Sequence, residues 1–178
     1  MKNQQIEGVL ETPLKTYKDE RGSVTVLYNQ QWNLPFEPAQ FNFVNSFPNS
    51  LRGVHVHSKH SDYLCVLSGK MLLGIKDLRR KSKTFGQVAL HTLQFSNPRV
   101  FTIPPGVAHG FYFPEETLYC YALSHPWDAN EHQGCRWNSP DLGIPWDANE
   151  PFLSKRDENA GTVAELLKQI EAIDFYNV

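Results

Sequence analysis

Apolar and polar residues alternate with a period of two along most of this chain, the spacing of half-buried strands. Ser23 to Tyr28 places Val24, Val26 and Tyr28 on one face, and Phe41-Asn-Phe-Val-Asn45 repeats the pattern. Further runs lie at 52–57, 63–67, 70–78, 88–95, 100–103, 110–113 and 118–123. Clusters of Gly, Pro, Asn and Ser separate them, and these are turn formers. Many short strands with no helical period between them predict an all-β sandwich or small barrel rather than a parallel α/β sheet. The stretch up to about residue 19 is polar and reads as a loose strand and arm.

Residues 124–160 carry Trp127, Trp137 and Trp146 among prolines and polar residues, which predicts an ordered loop region. The hexapeptide Pro-Trp-Asp-Ala-Asn-Glu occurs there twice, at 126–131 and 145–150, as turn chemistry used twice. The period changes to 3.6 only near the end. Thr162-Val-Ala-Glu165 fits a capping box, and Val163, Leu166, Leu167, Ile170 and Ile173 share one face. A helix over about 162–174, packed against the barrel or a partner, is expected.

At 178 residues the chain predicts a single domain over 1–178, with its core at about 13–158, large enough to bury its apolar surface without staples. Its 17 basic and 19 acidic residues are mixed, for a net charge of −2. That pattern argues against a nucleic-acid partner and against a charged tail. Cys65, Cys120 and Cys135 are an odd number without zinc-type pairing, and read as reduced core thiols. With no leader-like segment and no apolar run of membrane-spanning length, a cytoplasmic protein with no membrane partner is expected.

The chemistry concentrates between Arg52 and Gly69. His55 and His57 lie two apart on a strand and should face the same way. Asp62 opens the next apolar run and can be folded back to them. His109, in Pro104-Pro-Gly-Val-Ala-His-Gly110, is a candidate for the same pocket. Two readings stand side by side. Three imidazoles and a carboxylate suit a divalent transition metal, and the spacing resembles the metal motifs of cupins, with Asp where Glu is commoner. Alternatively, a histidine oriented by a carboxylate can abstract a proton made acidic by a neighbouring carbonyl. His60, beside Lys59 in the turn, reads as solvated.

An ordered set of blocks then resembles one family. Asp19-Glu-Arg-Gly22, Leu51-Arg-Gly-Val-His55, Asp77-Leu-Arg79, Ser82-Lys-Thr-Phe-Gly86, Ile103-Pro-Pro-Gly-Val-Ala-His-Gly-Phe111, Trp137-Asn-Ser-Pro-Asp-Leu-Gly-Ile-Pro-Trp146 and Leu153-Ser-Lys-Arg-Asp157 are similar, in order and spacing, to dTDP-4-dehydrorhamnose 3,5-epimerases. The resemblance implies a cupin-type jelly roll and a homodimer. It implies an isomerase acting on a nucleotide-linked 4-keto-6-deoxyhexose in deoxysugar biosynthesis for surface polysaccharide. In such a sugar the protons on C3 and C5 both flank the C4 ketone. By resemblance His55 is the base and Asp157 orients it, with His57 in the catalytic set. Arg21, Asn45, Arg52, Asp62, His109, His125 and Trp137 fall at substrate-binding positions. No cofactor is implied, and no residue is assigned to a metal.

The departures are coherent. Asp62 and Leu73 stand where the family has a lysine and its aspartate partner. Ser124-His125 stands at the proton-donating tyrosine, His57 at a glutamine, and Val24 and Val26 at the phenylalanine and glutamate that contact thymine. Inversion at C3 is expected, with C5 as a second candidate centre, on a dTDP, CDP or GDP carrier. A sugar 3,4-ketoisomerase, which shares the Arg-Gly-x-His-x-His strand, is one alternative. A metal-dependent cupin using His55, His57, Asp62 and His109 is the other.

Overall fold

The computed structural model describes residues 5–128, 131 and 133–176. One sheet contains β1 (Leu10–Pro13), β4 (Gln40–Ser46), β6 (Asp62–Ser68), β9 (Arg99–Ile103) and β11 (Thr117–Leu123). The other contains β5 (Ser50–Val56), β7 (Lys70–Asp77), β8 (Val88–Gln94), β10 (Val107–Phe113) and β12 (Gln133–Gly134). Their orders are β1-β9-β6-β11-β4 and β12-β5-β10-β7-β8, with antiparallel pairing throughout. A separate hairpin joins β2 (Thr16–Asp19) and β3 (Gly22–Thr25). This is the expected all-β jelly-roll sandwich.

Alternation explains the two layers. The faces that meet carry Leu64, Val66, Met71, Leu73, Ile75, Phe101, Ile103, Phe113 and Tyr119, all buried in one cluster. Each fully buried aliphatic side chain contributes roughly 1.5–3 kcal/mol. The outer face of the second sheet is also covered, by Leu142, Ile144 and the apolar side of α2 (Val163–Gln169), over Val54, Val56 and Ala108. Trp146 packs against this layer, and Gly74 makes room for it: a Cβ there would lie 2.5 Å from the indole. The capping box is present, with Thr162 Oγ1 accepting from the Glu165 amide and Glu165 accepting from the Thr162 amide.

Several expectations are corrected. The helix ends at Gln169 with Ile170 as its cap, short of 174, although Ile170 and Ile173 still pack on the sheet. Strand β3 stops at Thr25, and Val24 is 65% exposed, because the hairpin stands off the sandwich and its apolar residues meet nothing of this chain's core. The loose strand expected in the polar arm is β1; its LETP sequence has no alternation, and it pairs with β9 at the sheet edge. Ala129 and Asn130 of the first hexapeptide lie outside the described residues. The three cysteines are free thiols, and burial pushes Cys65 up to about 12 and Cys135 up to about 11.

Two features aim the site. Strand β10 pairs with β5 so that His109 faces His55, with a register shift before Phe111 meets Arg52. Further on, the chain returns to β5: the Leu51 amide donates to the Phe152 carbonyl, and the Phe152 amide to that of Asn49. Ser154 then caps the single turn α1 (Lys155–Glu158), which holds Asp157 buried beneath β5.

Candidate active site

A cavity of about 530 Å³ opens between the sheets, lined by residues of β4, β5, β6, β10, β11 and the returning segment 152–157. Of the predicted site residues, His55, His57, Asn45, Arg52, Asp62, His109 and Asp157 all line it. Arg21, His125 and Trp137 do not. Arg21 lies at the β2–β3 turn, its side chain 83% exposed and paired with Asp19 at 2.6 Å. His125 is exposed, its Nδ1 beside the Ser124 hydroxyl at 3.1 Å. Trp137 is half-buried behind the second sheet, its carbonyl accepting from the Trp146 indole. These three positions came from block order alone, and block order does not say which way a loop side chain turns. The Asp77-Leu-Arg79 and Ser82-Lys-Thr-Phe-Gly86 blocks serve the scaffold: Asp77, fully buried, accepts from Arg79, Ser82 and Thr84.

In the cavity His55 Nε2 lies 2.7 Å from Asp157 Oδ1. Asp157 Oδ2 accepts from the Gly53 amide at 3.2 Å. Burial alone would raise the Asp157 carboxyl, but the bonds from His55 and Gly53 and the neighbouring imidazole outweigh it and hold it below its ordinary value. Asp157 is therefore an anion at neutral pH and accepts from Nε2–H. That fixes the tautomer and leaves the lone pair on Nδ1. This is the base-and-orienter arrangement expected from the sequence.

The second group is buried more deeply. Asp62 and His109 are 5% and 3% exposed. Asp62 Oδ2 lies 3.8 Å from His57 Nε2 and 3.6 Å from His109 Nε2. His60, expected in solvent, is 2% exposed; it stacks on His57 at 4.0 Å between centroids and bonds Glu131 through Nδ1 at 2.9 Å. The sequence signal that hid this was Lys59, whose own ammonium sits outside, 3.4 Å from Glu131. Burial pushes Asp62 up to about 8 and His109 down to about 3, and lowers His60 against the pull of Glu131. The four-residue set of the alternative metal reading is divided: His55 is turned to Asp157, and His60 stands with His57 and Asp62.

Further lining groups were not anticipated. Phe111, Tyr119, Tyr121, Trp127 and Phe152 give the cavity aromatic walls, and Arg156 adds a second guanidinium to that of Arg52. Arg52 is held by its Nε donating to Ser46, and Asn45 by its amide donating to Glu116. Two guanidiniums and a base beside aromatic walls suit an anionic, ring-bearing substrate.

Among known families, the model of dTDP-4-dehydrorhamnose 3,5-epimerase matches residues 3–165. A dTDP-4-dehydrorhamnose 3,5-epimerase of Pseudomonas aeruginosa is 33% identical over 161 residues, covering 85% of this chain and 88% of the relative. Among solved structures, a dTDP-6-deoxy-D-glucose-3,5-epimerase of Legionella pneumophila, in complex with dTDP-4-keto-L-rhamnose, superposes with a TM-score of 0.84 at 30% identity, covering 92% of this chain and 94% of that one. A 3'-monoepimerase of Streptomyces bikiniensis in complex with dTDP-quinovose gives 0.86 at 26% identity, covering 99% and 93%.

Proposed function

The chain belongs to the dTDP-4-dehydrorhamnose 3,5-epimerase family, and from that premise we propose that it inverts C3 of a nucleotide-linked 4-keto-6-deoxyhexose, with His55 as the base. It is an isomerase of the sugar-epimerase class, acting in deoxysugar biosynthesis. The observation that carries the assignment of the base is the 2.7 Å bond from His55 Nε2 to buried Asp157. With that nitrogen committed, Nδ1 takes the C3 proton. The C–H electron pair becomes the enolate, with its charge on the C4 oxygen. A proton delivered to the opposite face of C3 restores the ketone with that centre inverted, so reactant and product are isomers and nothing is oxidised. Tyr121, on the cavity wall, is the phenol placed to deliver it; burial raises its hydroxyl and keeps it protonated. Arg52 and Arg156 hold the diphosphate.

The related solved structures hold dTDP-linked ligands. Here Val24 and Val26 replace the two thymine contacts of the family, which supports a CDP or GDP carrier beside dTDP. Deuterium incorporation decides both points. The full chain is incubated in D2O with a 4-keto-6-deoxy sugar on each of the three carriers. Deuterium gained at C3 with the ketone still at C4 is expected; a ketone found at C3 would identify a ketoisomerase and overturn the reading.

We also propose a homodimer. Edge strand β4 turns Phe41 and Phe43 outward, 53% and 66% exposed, and apolar pairs on a free strand edge call for a cover. Phe43→Glu should halve the mass measured by sedimentation, and a variant of unchanged mass would refute this interface. No helix in the described residues is long and apolar enough to cross a membrane.

A further inference from the structure

Asp62 breaks the ordinary rule for a buried carboxylate. It is 5% exposed at the start of β6, yet Oδ2 has no hydrogen-bond partner among the described residues. Leaving such an oxygen unmatched is costly, and native proteins rarely do it. Imidazoles surround it, but at the wrong distances for hydrogen bonds: 3.6 Å from His109 Nε2 and 3.8 Å from His57 Nε2. One ligand atom each from His57, His60 and Asp62 lie within 4.8 Å of one another. Ligand bonds of about 2.0–2.1 Å put neighbouring ligand atoms of a tetrahedral ion about 3.3 Å apart. The 3.6 and 3.8 Å separations at Asp62 approach that value and exceed what a shared proton bridges.

The far sides of the rings agree. His109 Nδ1–H donates to the Val107 carbonyl at 3.1 Å, so its Nε2 presents a lone pair to Asp62. Two lone pairs facing one another repel unless a proton or a cation lies between them, and 3.6 Å is long for a shared proton. His60 Nδ1–H donates to buried Glu131 at 2.9 Å, leaving its other nitrogen a lone pair as well. A carboxylate behind His60 and a carbonyl behind His109 are the outer-shell support that ligating histidines need.

We propose that His57, His60, Asp62 and His109 bind one divalent transition ion of the zinc and cobalt class. Three imidazoles and one carboxylate are a donor set for such ions. His55 is not a ligand; it faces His109 across the β5–β10 ladder and keeps its bond to Asp157. The role of the ion rests on the epimerase reading. With four protein ligands in place it would take the C4 enolate oxygen as a fifth and so share its negative charge, the task that the lysine replaced by Asp62 would perform with an ammonium.

The test uses the full chain, stripped with a chelator and titrated with Co2+ alone. The visible absorption of a four-coordinate cobalt site should saturate at one ion per chain and be displaced by Zn2+. Glu131→Gln should weaken binding about 10-fold through the loss of outer-shell support. Asp62→Asn and His57→Ala should weaken it further. His55→Asn should bind Co2+ as the parent does while losing deuterium exchange. No saturable cobalt band in the parent, or an Asp62→Asn variant that binds as tightly as the parent, would overturn the site. Exchange at full rate in the stripped protein would overturn the ion's role. Absence of exchange on every carrier with Co2+ bound would refute the epimerase reading and leave the site standing.

Discussion

His55 and Asp157 lie 2.7 Å apart, with the second carboxylate oxygen on the Gly53 amide; a few residues away Asp62 stands 3.6 and 3.8 Å from two imidazoles with one oxygen unmatched. Both sets are made of histidine and aspartate, and both line one cavity. The first is complete in the protein alone: its bonds hold the carboxyl ionised and aim the ring. The second is not complete by protein contacts, and its spacing fits ligands around an ion. Residue type therefore does not separate a base from a metal ligand here. Separation of donor and acceptor does.

The largest expected effect comes from breaking the first set. His55→Asn should lower deuterium incorporation by about 10⁴-fold, the upper range for a positioned base, with the circular dichroism of the native sheet intact. A variant that still exchanges would mean another group abstracts the proton. Next, Asp157→Asn should lower kcat by about 10²–10³-fold while KM stays within about 2-fold, because the amide cannot select the Nε2–H tautomer. A rise in KM at constant kcat would show Asp157 to be a binding residue instead.

The second set answers through stability. In metal-stripped protein Asp62→Leu should raise the unfolding free energy by about 1–3 kcal/mol, read from the urea midpoint, since an unmatched buried oxygen is removed. A lower midpoint would show that Asp62 makes protein contacts worth keeping. The smallest effect is in acid. Asp157 titrates below its ordinary value when folded, so the stability it adds is fully present above about pH 4 and is lost as pH falls through the native value. Asp157→Asn should flatten the fall in stability below about pH 4; an unchanged slope would place the acid-sensitive group elsewhere.

The sandwich and the first set were legible in the sequence for different reasons. Alternation and apolar runs mark β4 to β11, which bury one face or, in β6 and β10, both; they are absent from β1 and β2, and in β3 the alternating Val24 is present but exposed. His55 and His57 announce themselves by spacing. Asp157 does not: a carboxylate in an exposed-looking Ser-Lys-Arg-Asp run is found only through the family pattern. His60 was hidden because its cover, the loop bearing Glu131, is 71 residues away, and no local pattern records such a contact. Arg156 and Tyr121 were overlooked because each can equally face solvent or core; only the returning segment and the β6–β11 pairing decide it.

The return of the chain onto β5 also sets an order of events during synthesis. The base and the carboxylate that aims it are 102 residues apart. At roughly 5–20 residues per second, a nascent chain carries His55 for on the order of five to twenty seconds before Asp157 has even been made. Contacts of such long range form late. The backbone bonds of Phe152 to Asn49 and Leu51 join segments about 100 residues apart, so they cannot close until that much more chain has been made. A half-made enzyme thus has an imidazole but neither its aim nor the last wall of its pocket, since the segment 152–157 supplies both.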